Sequence, residues 1–148
     1  MRWFDKKAHV IEAVAALVTA FVAVAALIGV KVQLDATEDI QLSTTARDTY
    51  RSHLVLAIEH PEFAQPAACE VLESDNAVGY RSFVNHLLYS AELMLQVDDG
   101  WDPVFLSELA PHADYICSPS GPIGDTKQVA DLLTQFRGLV CKDVTPCN

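Results

Sequence analysis

A long, almost entirely apolar stretch near the N-terminus constrains this chain more than any other feature of its sequence. Residues 10–30 read VIEAVAALVTAFVAVAALIGV, and Glu12 is the one charged residue among these 21. At about 1.5 Å of rise per residue, a helix of this length spans roughly 30 Å, the thickness of the hydrocarbon core of a bilayer. A helix without a polar face would be unusual in a small soluble domain. The sequence therefore predicts a transmembrane helix over residues 10–30.

A secretory signal peptide is the main alternative interpretation of this stretch. Arg2, Lys6 and Lys7 would form its basic region, and Ala23-Val24-Ala25 would supply small residues for cleavage. The apolar stretch continues past that point to Val30, and it is longer than the roughly 7–15 residues of a typical signal core. We therefore expect a retained, single-pass anchor in the lipid bilayer.

The charges that flank the span favour a cytoplasmic N-terminus over residues 1–9. Three basic residues precede the span, whereas Lys31 is the only one that follows it before Arg47. Because basic residues concentrate on the cytoplasmic side, we expect the remainder of the chain to lie in the periplasm, beyond a bacterial inner membrane.

Cysteine usage gives a second argument about the compartment. All four cysteines follow the span, at Cys69, Cys117, Cys141 and Cys147. An even number in a small exported domain predicts two disulfides, with free thiols in a cytosolic domain as the alternative. Of the three pairings that four cysteines allow, we favour Cys141–Cys147 with Cys69–Cys117. A redox-active Cys141–Cys147 pair is the alternative to a structural link that fixes the tail.

The segment after the span is strongly acidic. The whole chain has 10 Lys and Arg against 20 Asp and Glu, and three of the basic and two of the acidic residues precede Lys31. Residues 31–148 therefore carry a net charge of −11. This charge argues against nucleic acid as a partner and against adhesion to anionic lipid.

Beyond the span, the sequence predicts an all-α architecture: a membrane-proximal helical stalk over residues 31–49, then a small helical bundle over residues 50–148, reinforced by disulfides. No Gly or Pro interrupts residues 31–59, and the residue before Pro61 disfavours helix. Near-helical spacing of apolar residues predicts the inner side of this first helix, with Ile40, Ala46, Tyr50, Leu54, Val55, Ala57 and Ile58.

Three later segments are also predicted to be helices. Residues 77–97 carry one apolar stripe, made of Tyr80, Phe83, Val84, Leu87, Leu88, Ala91 and Leu95. We expect one helix to begin at Asp102-Pro103. Another should begin at Asp125 or Thr126, and its inner face is formed by Val129, Leu132, Leu133 and Phe136. We interpret Trp101, Phe105 and Tyr115 as part of the core, with an aromatic binding surface as the alternative.

The span itself has one small, partly polar side, formed by Glu12, Ala16, Thr19, Ala20 and Ala23. Small residues let transmembrane helices approach closely, and a carboxyl group within a membrane favours a partner. This side therefore predicts docking onto another integral membrane subunit. The alternative is that Glu12 reaches back to the interface beside Lys6 or His9.

No motif in the sequence indicates catalysis or a cofactor. GxSxG, P-loop, HExxH, CxxCH and dinucleotide fingerprints are all absent. The histidines are scattered, and two pairs could meet in space, His53 with His60 or His112 with Asp114. Metal sites usually need three or four converging ligands, so we expect no metal, no cofactor and no enzyme activity.

Three stretches are similar to segments of a known group of proteins. They read YRSHLVLAIEHPE at 50–62, YRSFVNHLLYSAELML at 80–95 and WDPVFLSELAPHADY at 101–115. Together, over roughly residues 45–116, they resemble uncharacterised bacterial proteins in which one N-terminal span precedes a small helical domain. The resemblance implies this architecture and no activity.

The sequence thus favours a non-catalytic accessory subunit of a larger inner-membrane complex, whether respiratory, photosynthetic or transport. A membrane-tethered periplasmic sensor or ligand-binding module is the alternative. A thiol–disulfide redox protein is a third hypothesis, which would need an exposed cysteine of low pKa.

Overall fold

The computed structural model describes the backbone of residues 2–148 and the side chains of Glu12 and residues 14–148. Every regular element within that part of the chain is a helix, so the all-α prediction is confirmed. The chain divides into two compact units, Met1–Gln41 and Leu42–Asn148, and one helix, α1 (Arg2–Glu59), contributes residues to both.

The first unit consists of the N-terminal part of α1. From Val14 onward this helix contains an 18-residue window with a mean hydropathy of 2.3, none of which is buried against the described chain. Its exposed large apolar residues include Leu17, Val18, Phe21, Val22, Val24, Leu27 and Ile28. By length and composition, this helix is a candidate to cross a membrane.

The corner after α1 forms where the sequence predicts it. His60 leaves the helical region, with φ −126° and ψ 65°, and its N–H donates to the carbonyl of Leu56 at 2.8 Å. Pro61 then opens α2 (Pro61–Ala64). Pro66 separates α2 from the next helix, α3 (Ala68–Leu72).

The longest helix wholly inside the second unit is α4 (Ala77–Val97), whose bounds match the predicted segment. Its stripe is buried at Tyr80, Phe83, Val84, Leu87, Leu88 and Ala91, and Met94 joins it. After a 3-10 turn at Asp99–Trp101 comes α5 (Asp102–Leu109), and a second such turn at Ala110–His112 leads into α6 (Ala113–Ile116).

The last helix, α7 (Lys127–Val140), packs against α4, α5 and α6 with all four predicted residues buried. Arg137 on α7 fixes the loop that precedes it. The Arg137 Nε donates to the carbonyl of Ile116 at 3.2 Å, and one terminal nitrogen donates to the carbonyl of Pro122 at 2.6 Å. Phe105 and Tyr115 are buried in the same core, while Trp101 is half-buried against it.

The predicted inner side of α1 is partly wrong. Ala46 is buried, but Leu54 and Ile58 are 39% and 79% exposed. His53 takes the inward position instead and is only 2% exposed. Its ring packs on the ring of Phe83, with centroids 4.7 Å apart. A hydrophobic periodicity treats histidine as polar, so the pattern missed the residue that defines the buried side.

Two disulfides are present, as predicted, but the favoured pairing is wrong. Cys117 bonds to Cys141 and Cys69 bonds to Cys147. Cys141 caps the C-terminus of α7, which packs on α6, so its Cα lies 5.5 Å from that of Cys117 at the end of α6. The tail leads away from Cys141, and the N–H of Cys147 donates to the carbonyl of Asp114 at 3.0 Å beside α3.

Candidate functional site

The side of α1 that was predicted to dock in the membrane is open in the structure. Ala16, Thr19, Ala20 and Ala23 are exposed on α1, as is Glu12. The hydroxyl of Thr19 donates to the carbonyl of Ala15 at 2.9 Å, so its hydrogen is satisfied within the helix. Close approach by another helix would therefore meet small, internally satisfied side chains here.

The second unit contains a cavity of about 500 Å³ beside α1, α2 and α4. Nine residues line it: Leu56, His60, Glu62, Phe63, Asn76, Gly79, Ser82, Phe83 and His86. Pockets for small molecules in proteins usually measure roughly 300–1,000 Å³ and combine apolar walls with a few polar groups. The sequence did not predict this cavity.

Aromatic rings form the walls of the cavity. The ring centroids of Phe63 and Phe83 lie 6.1 Å apart, and the ring of His60 stacks on Phe63 at 5.5 Å. Gly79 lets the ring of Phe63 approach α4, because a Cβ at this position would lie 3.3 Å from two of its carbons. The absence of a side chain at Gly79 therefore helps to place one wall.

One carboxylate lies on the lining of the cavity. The Nδ1 of His60 donates to Glu62 Oε1 at 3.1 Å. Hydrogen bonds from its own backbone N–H and from this ring lower the pKa of the Glu62 carboxyl. Glu62 is therefore ionised at neutral pH, and no Lys or Arg is among the lining residues.

Next to this cavity, which His86 lines, α1, α4 and the turn at Pro111 bring three histidines together. The rings of His53 and His86 stack with centroids 5.6 Å apart, and the ring of His112 lies 5.8 Å from that of Phe83. The hydroxyl of Tyr80 and Nδ1 of His112 are hydrogen-bonded at 3.1 Å. Within the described chain, the buried Nδ1 atoms of His53 and His86 have no hydrogen-bond partner.

Burial dominates the electrostatics of this histidine cluster. Removal from water lowers the pKa of His53 to about 4, and the neighbouring His86 ring adds to the effect. Burial likewise lowers the pKa of His112 to about 4, with His53 contributing. Both rings are consequently neutral near pH 7, and both contact the ring of Phe83.

The histidines of the two pairs that could meet in space have other neighbours in the structure. Among the described residues, no group of three or more His, Cys, Asp or Glu side chains is arranged to hold a metal ion. His53 has His86 as its ring neighbour, and His112 hydrogen-bonds to Tyr80. The sequence carried a weak signal for the cluster, since Phe83 and His86 are three residues apart on one side of α4.

The disulfides occupy all four cysteines. Cys147 is 5% exposed, so one sulfur of the Cys69–Cys147 bond lies within the core. Both bonds join separate elements and fix the tail and α7 onto the bundle.

No protein-family model, curated protein or solved structure matches this chain.

Proposed function

We propose that this chain is a non-catalytic accessory subunit of a larger bacterial inner-membrane complex of the respiratory, photosynthetic or transport type. In this proposal α1 anchors the subunit by lateral docking onto integral membrane partners. The disulfide-bonded helical domain lies in the periplasm and covers the face of the host complex.

The observation that carries the proposal is the exposure of the apolar part of α1. None of its 18-residue hydropathy window is buried by the described chain, and lipid or another membrane protein is the environment that would bury these side chains. The small side chains from Ala16 to Ala23 supply a surface suited to helix contact.

Two further observations support the periplasmic location. Both disulfides belong to the second unit, and stable disulfides are typical of oxidising compartments. Residues 31–148 have a net charge of −11, which disfavours adhesion of this domain to the anionic cytoplasmic leaflet.

Copurification in a mild detergent tests the docking. We expect a stoichiometric integral membrane partner with the native chain and a loss of it in the Ala16→Leu, Ala20→Leu double variant, because the larger side chains separate the two helices. The matched control is Val18→Leu with Ala25→Leu, which enlarges two side chains on the opposite side of α1. Recovery of the partner with both double variants alike would contradict lateral docking.

A reporter fused after Asn148 tests the orientation. Alkaline phosphatase is active only after export, so we expect activity from this fusion and none from one placed before the span. A fluorescent protein that matures in the cytosol at the same C-terminal position would overturn the proposed topology.

The cavity of about 500 Å³ favours a second candidate function, a membrane-tethered periplasmic ligand-binding module. This candidate requires a ligand that saturates the cavity, and it makes no demand on a helix partner. The two functions can thus be separated by testing the cavity and the span independently.

A further inference from the structure

We propose that the cavity between α1, α2 and α4 binds a small organic cation with an apolar body, such as an arylalkylamine. This site is independent of the docking of α1, because every residue that lines it belongs to the second unit.

The walls suit the apolar body of such a ligand. The lining offers the faces and edges of two aromatic rings, Phe63 and Phe83. It also offers the branched aliphatic side chain of Leu56. The rings of Phe63 and Phe83 are inclined by 58°, so an aromatic guest could meet one ring edge to face while it stacks on the other. The faces of these rings also attract a cationic head group.

Charge selects a cation over an anion. Glu62 is the only acidic residue on the lining, and basic side chains there are limited to the imidazoles of His60 and His86. One Glu62 oxygen accepts from His60, and a carboxylate can accept several hydrogen bonds, so Glu62 keeps the capacity to bind an ammonium group. The net charge of −11 on residues 31–148 acts in the same direction.

The size of the cavity limits the ligand. A volume of about 500 Å³ accommodates one or two rings with a short chain. The mouth includes Ser82, which is exposed, so a bulky residue there would fill the entrance without entering the core.

Calorimetric titration of the full chain in maltoside micelles tests the site, with empty micelles as the blank. The probe is phenethylamine, and 3-phenylpropionate is its anionic counterpart of similar size. We expect saturable binding of the amine and binding of the anion weaker by about three-fold or more, which is the scale of an exposed charge pair.

Three variants locate the binding. Ser82→Trp should lower the affinity for the amine by about ten-fold or more, because the indole would occupy the volume that the ligand needs. Gln96→Trp adds the same side chain at an exposed position of α4 outside the cavity and should leave the affinity unchanged. Glu62→Gln should reduce the preference for the amine over the anion by about two- to five-fold, while the apolar contacts remain.

The proposal is overturned if the amine shows no saturable binding, if the anion binds as well as the amine, or if Ser82→Trp binds like the native chain. Should Ser82→Trp not fold, the Glu62→Gln comparison still decides the charge preference. Competition by glycerophosphocholine would identify a lipid headgroup as the source of the cation, whereas its failure to compete would assign the site to a free amine. None of these results depends on whether a membrane partner copurifies.

Discussion

The two units of this chain use the same kinds of apolar residue in opposite ways. In the first, Phe21 is 76% exposed and its apolar neighbours are exposed with it, whereas in the second Phe105 and Phe136 are fully buried. Burial of apolar surface is the main favourable contribution to folding. The second unit therefore supplies its own apolar environment, while the apolar side chains of the first are exposed in the described chain.

The largest expected effect comes from truncating a phenylalanine in each unit. Phe105→Ala should destabilise the second unit by about 3–5 kcal/mol, because it removes a fully buried ring from a packed core. Phe21→Ala should leave the free energy of unfolding of that unit unchanged. Urea unfolding followed by near-ultraviolet circular dichroism measures both. A comparable loss in the two variants would mean that Phe21 contributes to the same core.

The disulfides give the next effect and compare two positions within the second unit. Replacement of a bonded pair by serines should cost about 2–4 kcal/mol. The Cys69–Cys147 bond spans 78 residues and the Cys117–Cys141 bond spans 24. Because the longer loop restricts the unfolded chain more, removing the Cys69–Cys147 bond should cost about 1 kcal/mol more stability than removing the other. Denaturant midpoints of the two double variants test this order, and the reverse order would contradict an entropic origin.

Acid should weaken the second unit through its buried histidines. The pKa values of His53 and His112 are lowered to about 4 in the folded chain from 6.5. The unfolded chain therefore binds protons first, so stability is fully present above about pH 6.5 and falls as the pH drops towards 4. We expect roughly 1–2 kcal/mol per imidazole, less than the full shift because water and relaxation screen the charge.

Unfolding midpoints between pH 7.5 and pH 4 measure this dependence. His112→Gln should flatten the curve, and His60→Gln is the matched control because that ring is about half exposed. An unchanged slope in His112→Gln would show that other groups cause the loss.

The smallest effect compares two helical glycines with open surroundings. A Cβ at Gly138 on α7 or at Gly29 on α1 would meet no atom within 4 Å. Gly138→Ala should stabilise the second unit by about 0.5–1 kcal/mol, since alanine loses less backbone entropy in a helix. Gly29→Ala should not change that value. Midpoint shifts in urea distinguish them, and a loss of stability in Gly138→Ala would be contrary to this expectation.

The elements of this fold could be predicted where one local rule dominates. The presence of α4 and its buried side follow from its apolar stripe, and the corner at His60 follows from Pro61. The inward side of α1 could not be predicted, because His53 is buried by its contact with Phe83, which is distant in sequence. The predicted disulfide pairing was wrong for a similar reason, because the pairing depends on how α7 packs against α6.

The two candidate sites, on α1 and in the cavity, also differ in how far the sequence predicts them. The side of α1 that carries small side chains is a periodic pattern on one helix. It could therefore be predicted from the sequence between Glu12 and Ala23 alone. The cavity requires α2 to turn back on α4 at Pro61 and Gly79 to admit the ring of Phe63. No single stretch of sequence carries that information.

The order of the cysteines along the chain has a consequence for biosynthesis. A chain that emerges from a ribosome or an export channel presents Cys69 and Cys117 before either native partner, and Cys147 is the last of the four cysteines to emerge. In an oxidising compartment, the first two thiols would meet as a non-native pair unless something delays them. Maturation is thus expected to depend on thiol exchange after Cys147 has emerged, because Cys69 has no native partner before then.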